Sequence, residues 1–218
     1  MADRDLRLRE TAAEYLATRP VPASKISFEE FLEWLDEDTW AEWVDGEVVV
    51  LTPASFLHQR IVSFLDRVMG IFARRKQAGL VLVAPFLVHL PERLRRGAEP
   101  DIIFVRQEQI PRFGKAHFDG PPDAIVEIVS RESFNRDRKD KYREYQAAGV
   151  REYWLVDPDH RRAEFFRLGA DGQYHPAPPD DQGIFHSEAL PGFWLKTDWL
   201  WQDPLPDEVD VLRELGVL

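Results

Sequence analysis

Two short apolar runs constrain this chain more than any other feature, because each carries a carboxylate where a core strand rarely tolerates one. The first is EPDIIFV, Glu99 to Val105; the second, DAIVEIVS, sets Glu127 among Ile125, Val126, Ile128 and Val129. Near-continuous apolar runs of this length are expected for strands covered on both faces. Burying an unpaired carboxylate costs on the order of several kcal/mol, so Asp101, at the head of the first run, and Glu127, inside the second, call for a cation. That cation is a metal, a lysine or both.

The 218 residues suffice for one well-filled core, and 44% hydrophobic with 31% charged residues is the balance of an ordinary globular protein. No stretch approaches the roughly 18–20 apolar residues of a membrane span, and the start, MADRDLRLRETAAEY, lacks the apolar segment of a secretory signal. A cytoplasmic location with no membrane partner is the expectation. The absence of cysteine excludes disulfides, thiolate zinc sites and cysteine nucleophiles together. A metal must then sit on oxygen or imidazole, and oxygen ligands favour magnesium, manganese or calcium. The net charge of −11 argues against gripping a polyanion, but RRGAEPD, RQEQIPRFGK and SRESFNRDRKDKYRE concentrate basic residues around the two carboxylate strands.

Residues 1–26 read as an arm ending in the linker RPVPAS, 27–200 as the main domain, and 201–218 as a tail belonging to the same domain. SFEEFLEWL has the form of a capping box, with Ser27 as N-cap and Glu30 three residues on. Asp45-Gly46 marks a tight hairpin between two strands, and helical spacing of apolar residues runs from Phe56 to about Gln77. LVLVAPFLVHLP reads as a strand with a bulge or edge at Pro85, and LRRGAEP as a turn. After DIIFV and AIVEIVS, a helix spans about Asn135 to Ala148 and stops at Gly149; REYWLVD and AEFFRL form a further hairpin. The order predicts an α/β protein with a mixed sheet flanked by helices.

Sequential strands neighbour each other about two-thirds of the time, which can set Asp101 beside Glu127. Two such carboxylates are half of a magnesium site, the remainder coming from water, a backbone carbonyl and substrate phosphate. Asp137, Lys141 and Tyr145 follow at i, i+4 spacing and share a helix face, from which Lys141 can reach the acids. Plainer readings stand beside this one. Asp101 alone is a common strand-start residue, Glu127 can pair with Lys141 or Arg138 without metal, and Lys141 can pair with Asp137 in solvent. Tyr145, Tyr153 and Trp154 fit core packing better than base stacking.

EPDIIFV, PPDAIVEIVSRES, DRKDKYREYQAAGVREYWLVDP, AEWVDGEVVVLTPAS and HQR together resemble the Uma2 family, also known as DUF820, over roughly residues 27–200. That resemblance implies the restriction-endonuclease-like fold of the PD-(D/E)XK nuclease superfamily and Mg2+-dependent hydrolysis of nucleic-acid phosphodiesters, most often DNA, with Mn2+ as a substitute. Residue by residue, Pro100-Asp101 matches the PD element, Glu127 the second acid, and the Ile128 backbone carbonyl the additional metal contact. Val129 stands where the superfamily has its lysine, so that role passes to Lys141, with Lys139 the less favoured substitute. Glu42 matches the acid ahead of the first hairpin, and His58 and Gln59 match the HQ pair; His58 has the plainer alternatives of capping its helix or facing solvent. One site per chain implies a homodimer, or two visits, for a double-strand cut. The rival expectation is a nuclease-fold protein without catalysis that acts as a binding or assembly partner.

Overall fold

The computed structural model describes residues 20–36, 39–51, 54–129 and 136–218, the side chains of 136–138 excepted. The expected arm therefore lies largely outside the described residues, as do the side chains of Asp137 and Arg138.

Helix α1 (Phe28–Trp34) opens with the reciprocal capping box of Ser27 and Glu30 and buries Phe28 and Phe31. Strands β1 (Ala41–Val44) and β2 (Glu47–Val50) pair around Asp45-Gly46, whose positive φ of 48° and 90° suit the twist of a two-residue hairpin. Helix α2 (Phe56–Arg75) is capped by Ser55, which accepts from the His58 N–H. Its buried stripe, with Ile61, Phe64, Leu65, Val68, Met69 and Phe72, has the recurrence of an amphipathic helix on a sheet.

The segment 80–91 is two strands rather than one. Strand β3 (Gly79–Val83) joins a six-stranded sheet, and after Ala84-Pro85 the chain enters a five-stranded sheet as β4 (Leu87–His89). LRRGAEP is likewise more than a turn: Arg96–Ala98 forms β5, paired with both β1 and β4. Strand β6 (Ile102–Arg106) returns to the six-stranded sheet, β7 (His117–Asp119) lies parallel to β4, and β8 (Ala124–Ile128) lies antiparallel to β6. A π-helical turn, Arg136–Lys141, runs into α3 (Tyr142–Ala148), which Gly149 ends in the left-handed conformation. Strands β9 (Glu152–Asp157), β10 (Arg162–Leu168) and β11 (Tyr174–Pro176) complete that sheet; β12 (Ile184–His186) and β13 (Trp194–Lys196) pair with each other, and α4 (Glu208–Glu214) follows.

The five-stranded sheet runs β2-β1-β5-β4-β7 and the six-stranded one β11-β10-β9-β8-β6-β3. Side chains alternate as the pleat requires. Ile102, Phe104, Val126, Ile128 and Trp154 pack under α2, while Ile103, Val105, Ile125, Tyr153 and Leu155 meet Tyr145 of α3 and Val88, Ala98 and Phe118 of the other sheet. Both faces of the central strands are thus covered, which explains their unbroken apolar runs. Val211 and Leu212 of α4, and Leu215 just after it, join the core beneath α2. No described helix is long and apolar enough to cross a membrane.

Candidate active site

The two sheets are linked by Glu99-Pro100-Asp101, a three-residue crossing between β5 and β6. Around it gather groups from both sheets and from the following helix. Extending the β6–β8 register by one residue beyond Ile102↔Val126 sets Asp101 opposite Glu127. The Ile128 N–H donates to Asp101 Oδ2 at 2.7 Å, and His58 Nε2 lies 3.0 Å from Asp101 Oδ1. Since each carboxylate oxygen has two lone pairs, both Asp101 oxygens keep capacity for another ligand.

Glu127 is buried on the side of β8 that faces the other sheet and α3. Its Oε1 accepts from Lys141 Nζ at 2.8 Å and from the Tyr145 hydroxyl at 2.7 Å. The π-helical turn changes the expected helix geometry before Lys141, yet Lys141 and Tyr145, four residues apart, converge on one oxygen. Lys141 is 3% exposed, whereas Lys139 is exposed, so the amine enters the protein at 141. Tyr145 is fully buried; burial, and then the Glu127 and Glu42 charges, raise its hydroxyl well above the usual tyrosine range. It packs the core with its ring and fixes Glu127 with its hydroxyl, a use of aromatic polarity that a core-packing reading alone omits.

Glu42, on β1, is fully buried and comes from the five-stranded sheet. Its Oε2 accepts from Arg96 Nη2 at 2.6 Å, and its Oε1 lies 3.5 Å from Lys141 Nζ and accepts from the Glu99 N–H at 3.3 Å. Arg96 also donates through Nε to Glu144 Oε2 at 2.7 Å. Burial opposes the Arg96 charge, but Glu42 and Glu144 more than offset it and hold the guanidinium above its ordinary range.

Glu99, Arg96 and Glu144 are absent from the set read off the sequence. Glu99 stands in EPD, two residues ahead of Asp101, and the pleat on either side of Pro100 was the signal available for it. Arg96 was obscured because its strand reads as a turn. Burial, then the neighbouring Glu42 charge, push the Glu99 carboxyl up to about 8 against a smaller opposing effect of Lys141. Glu99 Oε2 is buried with no hydrogen-bond partner, and so is Arg96 Nη1.

Gln59 takes a different place from His58. It is exposed and lines a groove with Phe56, Arg60, Arg67 and the segment Pro204–Glu208, while His58 turns inward to Asp101. Val129 is buried in the apolar cluster between the sheets, in keeping with its inability to serve as the lysine.

The oxygen donors fit a hard divalent cation in kind: Asp101 and Glu127 stand at opposed positions of the extended β6–β8 register, and Glu99 presents a buried oxygen that lacks a partner. Among the described residues no three of these carboxylates bring ligand atoms within 4.8 Å of one another. The set therefore suits an ion held by one or two protein carboxylates that retains much of its water, which is the habit of magnesium.

No curated protein matches the chain. Among solved structures, one described as "a putative nuclease belonging to DUF820", from Anabaena variabilis ATCC 29413, is similar at a TM-score of 0.67 and 18% identity, covering 81% of this chain and 97% of its own. That likeness shows the shared mixed α/β fold. The sequence model of the Uma2 family, described as "Putative restriction endonuclease", matches residues 28–198, a span that holds Glu42, Glu99, Asp101, Glu127 and Lys141. With most of its length accounted for in this way, the chain belongs to the Uma2 family.

Proposed function

We propose that this protein is a metal-dependent nuclease that hydrolyses phosphodiester bonds, with DNA as its substrate and Mg2+ as its ion. The observation that carries this reading is the buried ammonium of Lys141, 2.8 Å from Glu127, the residue that stands across the extended β6–β8 register from Asp101. Asp101, Glu127 and the Ile128 backbone carbonyl would hold the ion. When bound, Mg2+ supplies polarisation of a phosphoryl oxygen and a bound water of lowered pKa; Mn2+ serves as a substitute.

The chain's own groups do the positioning. His58 and the Ile128 N–H fix the Asp101 carboxylate from two sides. Tyr145 fixes Glu127, and Glu42, anchored by Arg96, lies on the other side of Lys141. Lys141 Nζ donates hydrogen bonds only, so its part is to orient an attacking water or to stabilise negative charge developing on a phosphoryl oxygen. A single site cuts one strand per encounter; a double-strand break takes a second copy or a second visit.

The test is cleavage of supercoiled plasmid with Mg2+ or Mn2+, alongside thermal unfolding with and without the ion. Cleavage and ion-linked stabilisation are both expected, and both should vanish in Asp101→Asn and Glu127→Gln. Lys141→Met should retain ion-linked stabilisation while cleavage falls by roughly 10²–10³-fold, the scale of losing one charge-stabilising donor. An unaltered plasmid and an ion-independent melting temperature would favour the non-catalytic binding protein, whose buried ion pairs serve stability alone.

A further inference from the structure

On the opposite face of the five-stranded sheet from Glu42 and Arg96, two histidines and an aspartate converge without any part in the site above. We propose that His89, His117 and Asp119 bind a transition-metal ion of the zinc class and thereby clamp β7 to β4.

The strand register brings them together. Strands β4 and β7 are parallel, with Leu87 beside His117 and His89 beside Asp119, so all four side chains share one face. Val88 and Phe118, between them, point the other way into the core shared with the six-stranded sheet. Phe28 backs the two imidazoles. Its ring stacks on His89 at 3.7 Å between centroids and 9° between planes, and meets His117 edge-on at 5.5 Å. Gly97, opposite His89 on β5, permits this, because a Cβ there would come within 2.9 Å of the Phe28 ring.

The distances suit ligands better than hydrogen bonds. His89 Nδ1 and His117 Nε2 each lie 3.3 Å from Asp119 Oδ1. That is longer than the preferred range of roughly 2.7–3.2 Å for N–H···O. It equals the edge of a tetrahedron with metal–ligand bonds of about 2.0–2.1 Å, which is about 3.3–3.4 Å. Ligand atoms of all three residues lie within 4.8 Å of one another, a property no other group of described His, Cys, Asp and Glu side chains has. The second nitrogen of His89, Nε2, is buried without a hydrogen-bond partner, with the Glu92 carboxylate 3.6 Å away. Asp119 is exposed, leaving water access to a fourth position. Two imidazoles with one carboxylate select zinc, cobalt, nickel or copper over magnesium and calcium, so this site and the all-oxygen cluster at Asp101 and Glu127 sort different ions.

The experiment is titration of the metal-free full chain with Zn2+ by calorimetry and with Co2+ by visible absorption, for the wild type, His117→Gln, Asp119→Asn and Asp101→Asn. One equivalent of Zn2+ is expected, with the intense visible bands of tetrahedral Co2+ and a raised melting temperature. Either ligand substitution should weaken Zn2+ by more than the roughly 10–100-fold that loss of an outer partner costs. The Asp101→Asn protein should keep the bands and the equivalent. Absence of saturable Zn2+ binding, binding indifferent to both His117→Gln and Asp119→Asn, or loss of the equivalent in Asp101→Asn would each overturn the proposal. Because Asp119 is on the surface, its substitution leaves the metal-free fold intact and keeps the comparison valid if His117→Gln unfolds.

Discussion

Glu99 shows how a carboxyl group's surroundings decide what it does to stability. Burial and the Glu42 charge push it up to about 8 from an ordinary value of 4.5, so the folded metal-free chain holds this proton over a window where the unfolded chain has released it. The folded state binds more protons there, and the stability contributed by this group falls as pH rises from about 4.5 to about 8. Glu99→Gln should remove that slope and stabilise the metal-free protein by as much as a few kcal/mol above pH 8, read by urea unfolding across the pH range. Lys141→Met carries the opposite sign. It leaves Glu127 and Glu42 buried without the ammonium between them and should cost about 3–5 kcal/mol. Asp101 and Glu127 drew notice in the sequence because a charge inside or beside an apolar run demands an explanation, and Lys141 through its i, i+4 spacing with Tyr145 and the resemblance to the family pattern. Arg96 and Glu99 were not, because their burial depends on a second sheet that local sequence does not announce.

Among the elements, β9 depends on a carboxylate that lies outside the candidate site. Glu152 is buried, and its oxygens accept from Trp154 Nε1, the Ser187 hydroxyl and the N–H groups of Glu188 and Ala189. All four partners donate, so an acceptor-only side chain is required. Glu152→Gln sets an amide N–H against donors and should cost about 1–3 kcal/mol or more, with the loss visible as faster hydrogen exchange in residues 187–190. The long helix and the hairpin at Asp45-Gly46 follow their sequence signals closely. The elements not read as separate strands are β4, merged with β3 in one reading, and β5, β7, β11 and β12, of three residues each. Three residues hold no readable alternation, and Arg96-Gly97-Ala98 has a turn's composition; only pairing with β1 and β4 makes it a strand.

For the molecule as a whole, the expected mixed β-structure flanked by helices is present, divided between two principal sheets with the carboxylate cluster at their link. The apolar runs gave notice that the central strands would be covered on both faces, but not that the cover on one side would be another sheet. The net charge of −11 bears on how such a molecule meets a polyanion. Each phosphate neutralised by a basic side chain contributes about −0.9 to the slope of log K against log salt. We expect a slope shallower than about −5 for duplex DNA, measured by fluorescence anisotropy in Ca2+; a steeper one would indicate a broad basic footprint.

The three-residue crossing at Glu99-Pro100-Asp101 sets a limit on redesign. A linker or foreign domain spliced between Ala98 and Ile102 would part Glu42 and Arg96 from Asp101 and Glu127, though every side chain were kept. The same splice at Asp171-Gly172, on an exposed hairpin tip between β10 and β11, separates nothing in the cluster. New termini or reporter domains therefore belong at that tip, and the short crossing is where rearrangement of the chain would be least forgiven.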